Sequence, residues 1–96
     1  MTREEILVFL REKKTFLAQN FGVLSIALFG SYARGDAKEQ SDIDIAAELK
    51  SDNKFMNFFG LKYYLEEHLN KEIDLGIEST IKPAVKESIQ KDMIYV

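Results

Sequence analysis

The feature that most constrains this chain is one stretch, Val23 to Asp44. It opens with an uncharged run, VLSIALF, breaks at Gly30-Ser31, and closes on Ser41-Asp42-Ile43-Asp44-Ile45. Ten residues intervene between Ser31 and Asp42. An uncharged run of that length reads as a central strand. Ser41 to Ala47 reads as a second strand, on which side-chain alternation sends Ile43 and Ile45 one way and Asp42 and Asp44 the other. Asp74 recurs in a third such run, Glu72 to Ile77, with Glu72, Asp74 and Gly76 on one face and Ile73, Leu75 and Ile77 on the other.

The remaining segments supply helices. Thr2-Arg3-Glu4-Glu5 has the spacing of a capping box. Ile6, Leu7, Leu10, Phe16 and Leu17 follow at helical period, which predicts a first helix over about residues 3–19, stopped by Asn20 and Gly22. Gly30 to Gly35 reads as a tight turn opening a short helix that Gly35 ends. Ser51-Asp52-Asn53 predicts a helix start, and Phe55, Phe58, Phe59, Leu61, Leu65 and Leu69 carry that helix to about residue 69, with Asn70 as its stop. Pro83 suits the first turn of a last helix with Ala84, Val85 and Ile89 inward. Met93 to Val96 predicts a short terminal strand. The order is that of an α/β (α+β) fold: a small mixed sheet with helices packed on one face. The opposite face would show Ser25, Ala27, Asp42, Asp44, Ala46, Asp74 and Gly76, acidic and otherwise small enough to leave room for a ligand.

Ninety-six residues are expected to form one domain, 1–96. The absence of cysteine excludes a disulfide framework and a thiolate metal site, and is consistent with a cytoplasmic protein. A net charge of −3 without a basic arm argues against bulk attachment to nucleic acid. The N-terminal MTREEILVFLREKK has charges on both sides of a short apolar segment and reads as neither a signal peptide nor a membrane span.

The acids and the Gly-Ser turn carry the chemistry. Two aspartates at i and i+2 on a strand have backbones about 6.6 Å apart, and their carboxylates can reach a shared ion. A third acid on a neighbouring strand completes a set of hard oxygen ligands, which suits Mg²⁺ or Mn²⁺ over Zn²⁺. In two-metal sites such ions clamp the attacking and leaving oxygens of an in-line displacement. Without a cation, two carboxylates about 5 Å apart repel by about 3 kcal/mol at an effective dielectric of 20, so some of these acids should have raised pKa values. Gly30 allows close backbone approach, and Ser31 would stand at a helix N-terminus that attracts phosphate. Arg34 lies one turn on and could neutralise phosphate charge; Lys38 could approach it as well. Taken singly, a D-x-D strand, a Gly-Ser turn or an in-phase acid is ordinary surface chemistry. The conjunction is what points to a metal and nucleoside-triphosphate site. Other residues are less telling. His68 fits a helix C-terminus, Glu72 a solvated edge, and Tyr32 either the underside of the turn or the flank of a nucleotide. The run Phe55 to Phe59 reads as mostly core, dense enough for part of it to face a partner.

GSYARG, the ten-residue gap and DID resemble the nucleotidyltransferase superfamily of DNA polymerase β type, and more narrowly the minimal, MntA-like nucleotidyltransferases. The resemblance extends over almost the whole chain, through KEIDLG and the closing IKPAVKESIQKDMIYV. It implies a polymerase β-like fold, two Mg²⁺ ions and a nucleoside triphosphate, usually ATP. The metal-binding and catalytic acids would be Asp42, Asp44 and Asp74, and the phosphate-binding turn Gly30 and Ser31. It further implies transfer of AMP to a tyrosine on a HEPN-domain toxin, making the chain the antitoxin of a pair. Two alternatives remain from the sequence: a non-enzymatic module that masks its partner, and nucleotidyl transfer to a small molecule.

Overall fold

In a computed structural model, which describes residues 1–50 and 52–96, the chain forms a four-stranded sheet with helices. In chain order the elements are α1 (Arg3–Glu12), α2 (Lys14–Phe21), β1 (Val23–Phe29), α3 (Gly30–Arg34), β2 (Ile43–Leu49), α4 (Lys54–Leu69), β3 (Ile73–Ile77), a 3₁₀ turn (Glu78–Thr80), α5 (Pro83–Gln90) and β4 (Ile94–Tyr95). The strand order is β3-β2-β1-β4. β1 runs antiparallel to both β2 and β4, and β2 runs parallel to β3. The expected mixed α/β sheet is therefore what forms, with α4 as the crossover that two parallel strands require.

One face of the sheet holds the core. Ile26, Leu28, Ile43, Ile45, Leu49, Ile73 and Leu75 pack with Ile6 and Leu10 of α1, Leu17 of α2, and Leu61, Leu65 and Leu69 of α4. The capping box at Thr2 is complete: Thr2 Oγ1 accepts from the Glu5 amide at 3.2 Å, and the Thr2 amide donates to Glu5 Oε1 at 2.8 Å. Asn70 ends α4 in the left-handed conformation, as its residue type predicts.

Several expectations are corrected. The single first helix is two, broken at Lys13, whose ψ of 4° lies outside the helical range. The break sets α2 at its own angle, so that Phe16 and Phe21 gather with Phe9 around Tyr64 of α4, at ring separations of 5.0, 5.7 and 6.3 Å. Leu24 does not share a face with Ile26 and Leu28. A bulge between Val23 and Ser25 makes it the extra residue, so Val23 turns inward and Leu24 is 58% exposed. β2 is displaced two residues towards the C-terminus. A turn closed by Ser41 N to Lys38 O (3.0 Å) and Lys38 N to Ser41 Oγ (2.9 Å) keeps Ser41 out of the ladder, while Lys50 N bonded to Gly22 O extends the far end. α4 begins at Lys54, after Asn53 in the left-handed conformation and without a side-chain cap. Ser51, part of the expected start, lies outside the described residues.

The second face is less open than its small side chains suggest. The 3₁₀ turn and Ile81 lie over it. Ser79 donates its amide and hydroxyl to Glu48 at 2.9 and 3.1 Å, and Ile81 packs over Gly76. Ala27 and Ala46 are consequently buried. In α5, Ala84 and Val85, expected inward, are exposed, and Ile89 is only half-buried. Beside it, Glu78 accepts from the Tyr95 hydroxyl at 2.6 Å and pairs with Lys86 at 3.3 Å.

These placements predict opposite outcomes for two aliphatic substitutions. Ile45→Ala empties a fully buried site and should lower the unfolding free energy by about 2–5 kcal/mol in urea titration. Leu24→Ser, at the bulge, should change it by less than about 0.5 kcal/mol.

Candidate active site

Parallel register brings the acids together. Asp44 of β2 lies directly beside Asp74 of β3, with strands about 4.8 Å apart. Both side chains leave the sheet on the face away from α1, α2 and α4, the side the alternation predicts. Asp42 immediately precedes β2, next to the Ile43 amide that donates to Glu72 O at 3.0 Å. Asp42 and Asp74 are exposed, and Asp44 is half-buried.

The electrostatics reflect that proximity. Burial, the charge of Asp74, a hydrogen bond with Asp74 that only a protonated carboxyl can make, and the charge of Asp42 together push Asp44 up to about 6; Arg34 opposes them. Among the described residues, no three His, Cys, Asp or Glu side chains form a ready-made metal cluster. The donor chemistry nonetheless suits a hard divalent cation: the acids are oxygen donors, crowded, and unpaired by any salt bridge among the described residues.

Gly30 abuts the acids from the other side. Phe29, at the end of β1, is the antiparallel partner of Asp44, so α3 starts next to the Asp44 carboxylate. Gly30 has φ +75°, and a Cβ there would lie 2.9 Å from Asp44 Cγ and 3.1 Å from Asp44 Cβ. Only glycine permits both the conformation and the approach. Gly35 closes α3 in the left-handed conformation, as expected.

Arg34 is already engaged. It donates to Asp36 at 3.2 Å and to Asp92, before β4, at 3.1 Å; these bonds raise its pKa further. Tyr32 is buried beneath the turn. Lys38 is exposed on the loop leading to Asp42. His68 stacks on Tyr64 at 4.0 Å and its Nδ1 lies 2.9 Å from the Tyr64 carbonyl, within the helical layer and not among the acids. Glu72 is exposed at the start of β3. Sequence reading missed Asp92 and Lys71 as neighbours of the site, because each acts across a sequence gap that no local period announces.

Fold and site together define a nucleotidyltransferase. The family described as nucleotidyltransferase domain matches residues 10–96. Within that class, the chain belongs to the minimal nucleotidyltransferases. A Methanocaldococcus jannaschii relative, provisionally named a protein adenylyltransferase, is 45% identical over 99% of this chain and 98% of its own. The protein adenylyltransferase MntA of Thermococcus cleftensis is 38% identical over 100% of this chain and 97% of its own. Among solved structures, a provisionally assigned minimal nucleotidyltransferase matches with TM-score 0.81 and 29% identity, covering 98% of this chain and 95% of that one. A complex of a tri-AMPylated Shewanella oneidensis HEPN toxin with its MNT antitoxin matches in fold, with TM-score 0.61 and 21% identity over 88% of this chain and 66% of that one. Among the described residues no helix is long and apolar enough to cross a membrane.

Two outcomes follow from the geometry. Gly30→Ala should displace Asp44, reduce nucleotidyl transfer at least tenfold, and cost about 1–3 kcal/mol of stability by urea titration. The second concerns pH. The folded protein holds the Asp44 proton to about pH 6, whereas an ordinary aspartate releases it near 3.8. Metal-free stability should therefore fall as pH rises across that window and remain lower above it. Asp44→Asn should melt a few degrees higher than the parent protein at pH 7.5 without divalent metal, and the difference should vanish near pH 4.

Proposed function

We propose that this protein transfers AMP from ATP to a tyrosine hydroxyl of a HEPN-type toxin, silencing it as the antitoxin of a toxin-antitoxin pair. The carrying observation is the in-register Asp44–Asp74 pair against the Gly30 turn. The naming of whole-length relatives as protein adenylyltransferases, and of a fold neighbour as an antitoxin bound to an AMPylated HEPN toxin, supports the choice of acceptor. ATP as donor implies the cytoplasm.

Asp42, Asp44 and Asp74 would hold two Mg²⁺ ions. When bound, these supply charge neutralisation for the triphosphate and for the developing pyrophosphate. The residues of the chain do the positioning. Gly30 and the Ser31 amide, at the start of α3, receive phosphate oxygens where free N–H groups point outward. The Arg34 guanidinium adds positive charge one turn away. Asp74 is exposed on the edge strand β3, which supports approach of an acceptor from that side. In the transfer, a bond forms between the acceptor oxygen and the α-phosphorus, the bond to pyrophosphate breaks, and the hydroxyl proton passes to solvent. No nucleophile from the protein is needed.

A masking function has an observation of its own. Phe55, Met56 and Tyr63 of α4 are 74%, 70% and 74% exposed, an apolar stripe that suits protein contact. The two readings separate in one assay. The protein, ATP, Mg²⁺ and the toxin are incubated together, and the toxin is weighed by mass spectrometry. AMP addition that disappears with Asp44→Asn or with chelation is the expected outcome. An unmodified toxin, neutralised equally well by the Asp44→Asn protein, would establish masking.

A further inference from the structure

Asp42 is the one acid of the three that lies outside the sheet ladder, at the end of a loop that begins at Asp36, yet it must keep station with Asp44 and Asp74. The ladder fixes Asp44 and Asp74 through paired backbone bonds. Asp42 has such a bond on its C-terminal side only, through the Ile43 amide. Its N-terminal side is held by a side chain. Lys71 Nζ donates to the Ser41 carbonyl, the peptide group that leads into Asp42, at 2.9 Å, and to the Glu39 carbonyl. The same ammonium stands 5.9 Å from the Tyr32 ring centroid. Tyr32 is buried at the foot of α3, two residues after Gly30. One cation therefore touches the loop before Asp42 and the helix of the phosphate turn, from a position three residues before Asp74.

From this contact set we propose that Lys71 is a positioning residue: it staples the 38–41 turn to α3 and the start of β3, and so sets Asp42 at the distance from Asp44 and Asp74 that a shared divalent cation needs. The chemistry suits the task. An ammonium has three donors and no acceptor, and its partners here are two carbonyls and a π face. No carboxylate among the described residues pairs with Lys71 within salt-bridge distance. Its contacts thus hold backbone in place, and a methionine of similar length would keep the stem packed while losing every donor. The neighbouring Glu72 carbonyl accepts from Ile43, so residues 71 and 72 grip Asp42 from both sides.

The inference rests on Asp42 being a metal ligand, and its test separates the two. Mg²⁺ is titrated by calorimetry into the full chain in the presence of a non-hydrolysable ATP analogue, for the parent protein, Lys71→Met and Lys71→Arg. Amide hydrogen exchange over residues 38–43 is measured without metal. For Lys71→Met the Mg²⁺ half-saturation point should rise about tenfold and exchange at residues 39–42 should accelerate, with the melting temperature of the metal-free protein shifting by no more than a few degrees. At saturating Mg²⁺ its KM for ATP should stay within about twofold. Lys71→Arg, which keeps donors and a cation, should recover most of the affinity and the protection. Unchanged half-saturation and unchanged exchange in Lys71→Met would overturn the staple. A raised KM for ATP at saturating Mg²⁺ with unchanged exchange would overturn it too, since Lys71 would then be contacting the nucleotide. A parent protein that binds no Mg²⁺ would instead remove the metal reading, while the exchange data would still report on the loop. Should Lys71→Met fail to fold, Lys71→Leu, which also carries no donor, takes its place under the same criteria.

Discussion

Two carboxylates set side by side on parallel strands repel, and the rest of the structure is arranged so that they cannot move apart. Asp44 is clamped on one flank by the ladder to β3 and on the other by Phe29 and the Gly30 turn. Burial and the nearby charges of Asp74 and Asp42 hold its pKa near 6. A fold that selected only for stability would gain by putting a neutral or cationic side chain at one of these positions. Under the proposed reading, a divalent cation shared by these acids would offset that repulsion, because its attraction to each carboxylate outweighs the carboxylate–carboxylate term.

That arrangement depends on the core beneath it. Ile43 and Ile45 alternate with Asp42 and Asp44, so the hydrophobic face that fixes β2 against α1, α2 and α4 also fixes the direction of the acids. A slip of one residue would bury the carboxylates and expose the isoleucines, at a cost no small domain could bear. Register in the β2–β3 pair is thus specified by the core, and the placement of the acids inherits the same precision. The α4 crossover makes β3 parallel to β2, which is what brings residues thirty apart in sequence into one row.

Periodicity made much of this legible. The β1 boundaries, the short α3 between Gly30 and Gly35, the Asn70 stop and the terminal strand were all readable because each has a local cause: an uncharged run, a left-handed glycine, a residue that tolerates positive φ. The in-register meeting of Asp44 with Asp74 was accessible too, since alternation predicts the face and only the strand pairing had to be supplied. What escaped were features set by long-range contacts. The break at Lys13 answers to the aromatic cluster around Tyr64 and the Leu24 bulge to the pairing of Val23 with Leu49, and Val85 is exposed on a helix that buries none of its residues. The Arg34–Asp92 pair spans fifty-eight residues and has no sequence signature.

The position of the acids also bears on how an acceptor would be chosen. Asp74 lies on the edge strand, and both it and Asp42 are exposed. An open site of this kind contributes little discrimination of its own, because selectivity requires contacts that a wrong acceptor cannot make. For a tyrosine on a folded protein, those contacts would have to come from surfaces away from the chemistry. The Phe55, Met56 and Tyr63 stripe is one candidate: it sits on α4, the crossover that links β2 to β3, and is joined to the site through rigid secondary structure. Because α4 covers the face of the sheet opposite the acids, a partner docked there would have to reach past the β3 edge to bring a hydroxyl to Asp74. Masking and modification, on this view, differ only in whether the docked partner presents that hydroxyl.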